Sequence, residues 1–344
     1  MGKYTVTEAA AVQSDSQEAE KLELPLQKLL EREWGEPVVI SGLRRLTGGA
    51  AAQTWSFNAA DSRAEHRLIF RRGHDASQFG GALSKSEEAM VLNAAVLAGV
   101  PAPAVIAQLQ ANDGLGEGFL MRRIDGETLP QKILKAPIYS AARERMAGQC
   151  GEILATIHAV PLNTLQGLRR ASAADQIAFY LQAFRGYQQT LPVFEYAFRW
   201  LAEHIPHCGE QTLVHGDFRN GNLMVGEDGI RAVLDWELSH IGDPMEDLAW
   251  LCVNSWRFGR IDKPVGGFGD RESLYSAYAR ASGREVDRDA VRFWELFGVL
   301  KWGVICLYQC DMHLSGRERS LERVAIGRRV SECELDILDL LRGE

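Results

Sequence analysis

Apolar positions along this chain change their spacing near residue 124. Before that point short apolar runs dominate. Residues 38–46, 54–58, 66–71, 104–109 and 118–124 read as strands separated by turn residues. Leu22, Leu24, Leu26, Leu29 and Leu30 mark a short amphipathic helix that ends near Gly35 and Pro37. Residues 84–98 predict another helix, with Ser84 or Ser86 near its cap, Gly99 closing it, and Pro101 and Pro103 stopping any continuation. Residues 1–20 are rich in Ala, Ser, Gln and Glu with little periodicity, which predicts a loose tail. Beyond Asp125-Gly126 the period becomes helical. Residues 139–160, 173–188, 193–205, 245–254, 271–282, 287–314 and 321–341 all read as helix. The pattern predicts an α+β, bilobal chain with a small β-rich N-lobe over 21–124 and a larger, mostly helical C-lobe over 125–344. There is no internal repeat and no long low-complexity linker.

One stretch interrupts the helical half. It reads Leu213-Val214-His215-Gly216-Asp217-Phe218-Arg219-Asn220-Gly221-Asn222-Leu223-Met224-Val225, followed by Val233-Leu234-Asp235-Trp236-Glu237. This is a β-hairpin signature with an acid at one rim, an amide five residues later and a second acid thirteen beyond the amide. The protein-kinase arrangement has the same order: a catalytic-loop Asp, a metal-binding Asn at plus five, and a metal-binding Asp after a hairpin. The residue types suit the chemistry. An Asp accepts or orients the proton of an attacking hydroxyl, while an amide oxygen and a carboxylate share a hard Mg²⁺ ion. A lone His-Gly-Asp is most often a polar turn. Three polar residues at two matching spacings, each abutting an apolar strand, favour a phosphotransferase instead. His215 is expected to brace the loop through hydrogen bonds rather than to transfer a proton.

Residues 47–54, with Gly48 and Gly49, join two predicted strands and are small enough for backbone N–H groups to approach phosphates. Taken alone they read as a hairpin loop; their place well upstream of the Asp217 hairpin favours the phosphate role. The Lys and the Ser or Thr of a P-loop are missing, which argues against a P-loop NTPase. Arg71 ends the third predicted strand, and Glu88 lies on the helix that follows, beside Glu87. Arg71 suits a bidentate phosphate contact and Glu88 suits its partner, where a surface arginine and a solvated acid are the plain alternatives.

With these residues in place, the chain resembles the aminoglycoside phosphotransferase family, a branch of the protein-kinase-like fold that phosphorylates small molecules. The likeness covers roughly residues 38–310. It is carried by His215-Gly216-Asp217 to Asn222, by Leu234-Asp235-Trp236-Glu237, and by Gly242-Asp243-Pro244 to Asp247-Leu248-Ala249-Trp250. Phe218-Arg219, Arg71 at the usual lysine position, and Val100-Pro101-Ala102-Pro103 resemble the branch related to the N-terminal kinase-like region of some acyl-CoA dehydrogenases. The resemblance implies Asp217 as catalytic base, Asn222 and Asp235 as Mg²⁺ ligands, and Glu237 as an acid assisting the metal. It also implies an inter-lobe hinge at residues 121–124, where the carbonyl of Arg122 and the N–H of Ile124 would hold the adenine of ATP. Asp247 would brace the catalytic loop, and His158 reads as a helix-end packing residue. The glycine loop is poorer in glycine than in protein kinases, and no serine, threonine or tyrosine activation segment is evident between Glu237 and Asp247. Both departures favour a constitutively assembled small-molecule kinase.

The net charge of −8 argues against general nucleic-acid binding. No apolar stretch approaches the roughly 20 residues that span a bilayer. Lys3, Asp15, Glu18 and Glu20 interrupt any signal-peptide core, and the six scattered cysteines lack CxxC pairs, so a cytoplasmic protein is expected. Cys306 and Cys310 read as buried thiols of an apolar helix. Residues 256–264 are basic and aromatic, and Arg219, beside the base, adds a cation that could meet transferring phosphate or the acceptor. The acceptor is therefore expected to be a hydroxylated small molecule, anionic and hydroxy-acyl or CoA-linked. The alternatives are an aminoglycoside-type antibiotic kinase and a non-catalytic nucleotide- or CoA-binding module. Oligomeric state is not legible.

Overall fold

The computed structural model describes residues 4–46, 52–73 and 81–343. The chain divides into two compact units, Met1–Val96 with Ala102–Asp125, and Leu97–Pro101 with Gly126–Glu344.

The first unit opens with α1 (Tyr4–Trp34), followed by β1 (Val39–Leu46), β2 (Ala52–Ala60), β3 (Glu65–Gly73), α2 (Lys85–Leu97), β4 (Val105–Gln108) and β5 (Gly118–Arg122). The strands form one antiparallel sheet in the order β1-β2-β3-β5-β4. Leu22, Leu26, Leu29 and Leu30 lie one or two turns apart on α1 and are buried against Trp55, Phe57, Leu68, Phe70 and Leu120 of the sheet. Gly35 ends the helix at a φ of +73°, its N–H bonded to Glu31 O. The loose tail expected over residues 1–20 is a correction: from Tyr4 onward those residues are helix. Ala, Gln, Glu and Lys are strong helix formers even without apolar periodicity. Ion pairs of Asp15 with Arg45 and of Glu18 with Arg72 tie this stretch to the sheet.

The second unit contains α3 (Pro130–Lys135), α4 (Ser140–His158), α5 (Ala173–Gly186), α6 (Pro192–Glu203), β6 (Thr212–Val214), β7 (Leu223–Gly226), β8 (Gly229–Val233) and β9 (His240–Gly242). Then come α7 (Met245–Trp250), α8 (Arg271–Ser282), α9 (Arg288–Leu314), α10 (Leu321–Gly327) and α11 (Val330–Arg342). The long helix α9 is the centre of packing and touches α5, α6, α7, α10 and α11. Asp287 caps its start by accepting the N–H groups of Asp289 and Ala290. The predicted 321–341 helix is two helices. At the end of α10 a Cβ on Gly327 would lie 2.6 Å from Cys310 Cβ, so only glycine lets α10 come this close to α9. The expected 245–254 helix is shorter, since α7 ends at Trp250 and a separate 3₁₀ turn covers Asn254–Arg257. Cys306 is fully buried, while Cys310 is half-buried. Among the described residues no helix is long and apolar enough to cross a membrane.

Candidate active site

Two small antiparallel pairs build the loop that carries Asp217. The strands β6 and β9 pair with Val214 opposite His240, and β7 and β8 pair with Leu223 opposite Val233. The loop between β6 and β7 carries His215 to Asn222. Gly216, at a φ of +79°, makes its first bend: a Cβ there would fall 2.5 Å from Leu238 O, so no other residue fits. At the far end Leu234 N–H donates to Asn222 O at 2.8 Å, linking the segment that carries Asn222 to the one that carries Asp235. Asp235 follows β8 at a φ of +65°, left-handed backbone that costs a non-glycine residue about 1 kcal/mol or more.

The Asp217 carboxylate is held by three N–H donors. Its Oδ1 accepts from Trp250 Nε1 at 2.8 Å and from Arg219 Nε at 3.0 Å, and its Oδ2 accepts from Asn222 Nδ2 at 2.6 Å. Oδ2 bears one of these bonds, so it retains lone-pair capacity for an incoming hydroxyl. The Arg219 guanidinium also lies over the Trp256 ring, 4.6 Å from its centroid. Beneath the loop, Asp247 of α7 is fully buried and accepts the N–H groups of His215 and Gly216 at 2.7 and 2.9 Å. His158 Nε2 donates to the same carboxylate at 3.2 Å, and His158 Nδ1 bonds the Tyr278 hydroxyl at 2.9 Å. Burial pushes the Asp247 pKa upward, but the His158 hydrogen bond, the nearby histidines and the backbone donors outweigh it and hold the carboxyl below its usual range. His215 donates from Nε2 to Leu234 O at 3.1 Å and accepts Asp217 N–H on Nδ1 at 3.2 Å. That is the pattern of a neutral imidazole, and burial depresses its pKa accordingly.

Several residues that matter here escaped sequence reasoning. Trp250 lies three residues after Asp247 on one face of α7; the i, i+3 spacing was the available signal for two side chains addressing the same loop. Lys301, on α9, donates from Nζ to Gly216 O at 3.3 Å and sits over the Trp250 ring. No local pattern announces it. His158 is not merely a packing residue, since it holds Asp247. Ser239 is fully buried, with its hydroxyl bonded to His215 O. The loss of one fixed donor should loosen Asp217. For Trp250→Phe we expect kcat to fall by about 10-fold, since misplacement by about 1 Å can cost up to ~10²-fold, with the acceptor KM nearly unchanged. Steady-state kinetics at saturating ATP would check it; an unchanged kcat would remove Trp250 from the site.

In the first unit, Arg71 of β3 lies 3.2 Å from Glu88 of α2, whose other oxygen binds Lys85 Nζ at 2.6 Å. Glu88 and Lys85 are both 2% exposed, so one buried carboxylate is shared by two cations. Lys85 was missed, although it precedes Glu88 by one helical turn. Arg122 ends β5 and Ile124 follows it two residues later. Gly48 and Gly49 lie outside the described residues.

The donors near Asp217 fit a hard cation. Asn222 commits its amide nitrogen to Asp217, through Oδ2 and through the backbone oxygen at 3.0 Å, so its amide oxygen is the end suited to a metal. Asp235 supplies a carboxylate on the adjoining segment. Among the described residues no three His, Cys, Asp or Glu side chains converge to hold a metal by themselves, so Glu237 does not close a three-carboxylate site with Asp217 and Asp235. Two protein oxygens completed by water and phosphate is a common arrangement for Mg²⁺.

Within the basic stretch 256–264, Arg257 requires a correction. Arg257 is turned inward, donating to Cys252 O at 2.7 Å and to Glu295 at 3.1 Å. Glu295 is nearly inaccessible and also binds Arg271. A buried carboxylate is costly without cations. Arg257 therefore serves Glu295 rather than an acceptor, and Arg260 faces Asp262 at 3.7 Å. Arg219 keeps its place beside Asp217, with Nε 3.0 Å from Oδ1.

A sequence model of the phosphotransferase enzyme family matches residues 42–294. Acyl-CoA dehydrogenase family member 10 of Mus musculus is 29% identical over 201 residues, which are 55% of this chain and 18% of that protein. The chain thus spans less than a fifth of that relative's length. Among solved structures, a candidate aminoglycoside phosphotransferase from Ralstonia eutropha is similar with a TM-score of 0.73 at 20% identity, covering 93% of this chain and 98% of its own. A thermostable aminoglycoside phosphotransferase mutant, in ternary complex with AMP-PNP and hygromycin B, is similar with a TM-score of 0.59 at 17% identity, covering 92% and 97%. These two likenesses establish a protein-kinase-like phosphotransferase fold.

Proposed function

Because this chain belongs to the phosphotransferase enzyme family, we propose that it transfers the γ-phosphoryl group of ATP to a hydroxyl of a small molecule, with Mg²⁺. The observation that carries the reading is the three-donor clamp on Asp217, five residues before an amide whose oxygen is left for a cation.

The acceptor hydroxyl donates its proton to Asp217 Oδ2 as its oxygen bonds to phosphorus and the bond between phosphorus and the ADP oxygen breaks. The transition state is loose, so positioning and charge stabilisation supply most of the rate. Asn222 and Asp235 would hold Mg²⁺, which when bound neutralises charge on the phosphate oxygens. Arg71, fixed by Glu88, would meet the α- and β-phosphates, Gly48 and Gly49 would cover the phosphates, and the backbone of Arg122 and Ile124 would take adenine. Arg219 would neutralise charge on the transferred group or on the acceptor. Glu237 is a secondary candidate that would act on the metal through water.

For the acceptor we propose a hydroxy-acyl or CoA-linked anion. The likeness to an acyl-CoA dehydrogenase family member supports it, as does the guanidinium beside the base, which would repel a polycationic drug. A screen of hydroxylated acyl thioesters, free hydroxy acids and hygromycin B tests this. Turnover of hygromycin B alone would return the protein to the antibiotic kinases. The non-catalytic alternative is separated by isothermal titration with ATP. We expect binding to weaken at least about 10-fold when Mg²⁺ is removed, a loss of roughly 1.4 kcal/mol; tight binding indifferent to Mg²⁺ would count against the kinase.

A further inference from the structure

Lys301 is 5% exposed, on a stretch of α9 where Phe297, Leu300 and Val304 are also buried. A buried ammonium is costly, and a methionine of similar length would occupy this position without that cost. Charge balance alone does not account for the lysine. Glu246 of α7, the acid beside it, is also buried, and its Oε2 accepts from Gln176 Nε2 at 2.7 Å and from His240 Nε2 at 3.1 Å. Its Oε1 lies 3.9 Å from Lys301 Nζ, and among the described residues no donor hydrogen-bonds that oxygen. The ammonium donates instead to Gly216 O.

That bond meets one side of a peptide unit whose other side is also held. The Gly216–Asp217 peptide presents its C=O to Lys301 at 3.3 Å and its N–H to His215 Nδ1 at 3.2 Å. The same ammonium lies 4.6 Å from the centroid of the Trp250 ring, whose Nε1 donates to Asp217 Oδ1 at 2.8 Å. A cation over an indole face draws electron density from the ring and makes its N–H a stronger donor. Lys301 thus reaches Asp217 by two routes: through the backbone that carries it and through a donor that fixes its carboxylate.

We infer that Lys301 is a positioning residue for Asp217, an inference that deepens the phosphotransferase reading and takes its kinetic meaning from it. It acts through Gly216 and Trp250, and it sets the direction in which the carboxylate meets the acceptor hydroxyl.

Two variants separate this role from a purely structural one. Lys301→Met keeps the length of the side chain and removes its charge, so the melting temperature should fall. Lys301→Met/Glu246→Gln removes both charges and should recover most of that loss, since replacing a buried ion pair as a whole is often neutral. In both variants kcat should stay at least about 10-fold down, with KM for ATP and acceptor within about 2-fold, because misplacement by about 1 Å can cost up to ~10²-fold. A double variant that regains kcat along with its melting temperature overturns the inference and leaves Lys301 as charge balance for Glu246.

A second readout needs no turnover. In protein isotope-labelled at the tryptophan nitrogens, the Trp250 indole N–H is assigned by its absence from Trp250→Phe. In the double variant it should exchange with solvent at least about 10-fold faster, its hydrogen bond to a charged acceptor being weakened. The indoles of Trp236 and Trp294, which donate to Val233 O and Asp243, should keep their wild-type rates. Unchanged exchange at Trp250, or equal acceleration at all three indoles, also overturns the inference. If wild type transfers phosphate to no acceptor, the phosphotransferase reading falls by itself, and the exchange rates still decide whether Lys301 fixes Trp250.

Discussion

Replacing Asp217 by Asn should cut turnover by at least roughly 10²-fold, the lower range for general acid–base assistance, with ATP affinity within a few-fold of wild type. The isostere keeps the shape of the side chain. It removes one acceptor oxygen and places an amide N–H₂ among groups that are all donors: Trp250 Nε1, Arg219 Nε and Asn222 Nδ2. The amide cannot take a proton from the acceptor hydroxyl, and at least one of the three donors loses its partner. Arg219 is the group most free to move, because its guanidinium rests on Trp256 and is partly exposed. Single-turnover phosphoryl transfer, read beside calorimetric ATP binding, separates a chemical defect from a binding defect. Unchanged turnover in a verified assay would remove Asp217 from the role of base.

How much of this was legible in the chain follows from where the information sits. The strands β1 to β5 and the helix α2 were readable because their signals are local: short apolar runs punctuated by Gly, Pro and Asn. The spacing of Asp217, Asn222 and Asp235 was readable for the same reason: Asn222 and Asp235 stand at the two ends of one hairpin, and Asp217 lies on the loop that leads into it. The three-residue strand β9 was not, because its hydrogen bonds are satisfied by a partner remote in sequence. The tail failed differently: α1 begins in residues whose composition suits either a coil or a helix, and contacts with Arg45 and Arg72 favour the helix. Lys301 and Glu295 were invisible because each is a polar residue on an apolar helix whose partners lie 85 and 38 residues away. Arg257 shows the reverse error. A basic residue in a loop reads as solvent-facing, yet a buried acid on α9 claims it.

The same long-range logic makes Asp247 the position with the largest expected effect on folding. Its carboxylate accepts two backbone N–H groups and the His158 imidazole in a fully buried setting. Asp247→Ala leaves all three donors without a partner, and breaking a buried charged network by removing one member costs about 3–5 kcal/mol. The catalytic loop should also loosen, so the amides of His215 and Gly216 should exchange hydrogen faster than in wild type. Asp247→Asn keeps one acceptor oxygen and should recover part of the loss. Acid should act on the same network. His215 and Asp247 both have folded-state pKa values below their usual 6.5 and 3.8, so in each case the unfolded chain takes up the proton first. Their contributions are complete above those usual values and are lost as pH falls through the lower folded values. Wild type should therefore begin to lose stability below pH 6.5 through His215 and lose more below 3.8 through Asp247. The Asp247 charge is one of the influences that raise the His215 pKa against burial. Without it, His215 should resist protonation further in the folded state. Asp247→Ala should then show a steeper loss below pH 6.5 and no contribution from position 247 near 3.8. Urea unfolding of both proteins from pH 7.5 down to about pH 4 measures the first slope directly. Parallel curves for the two proteins across that range would show that Asp247 and His215 do not sense one another, and the brace under the catalytic loop would have to be sought elsewhere.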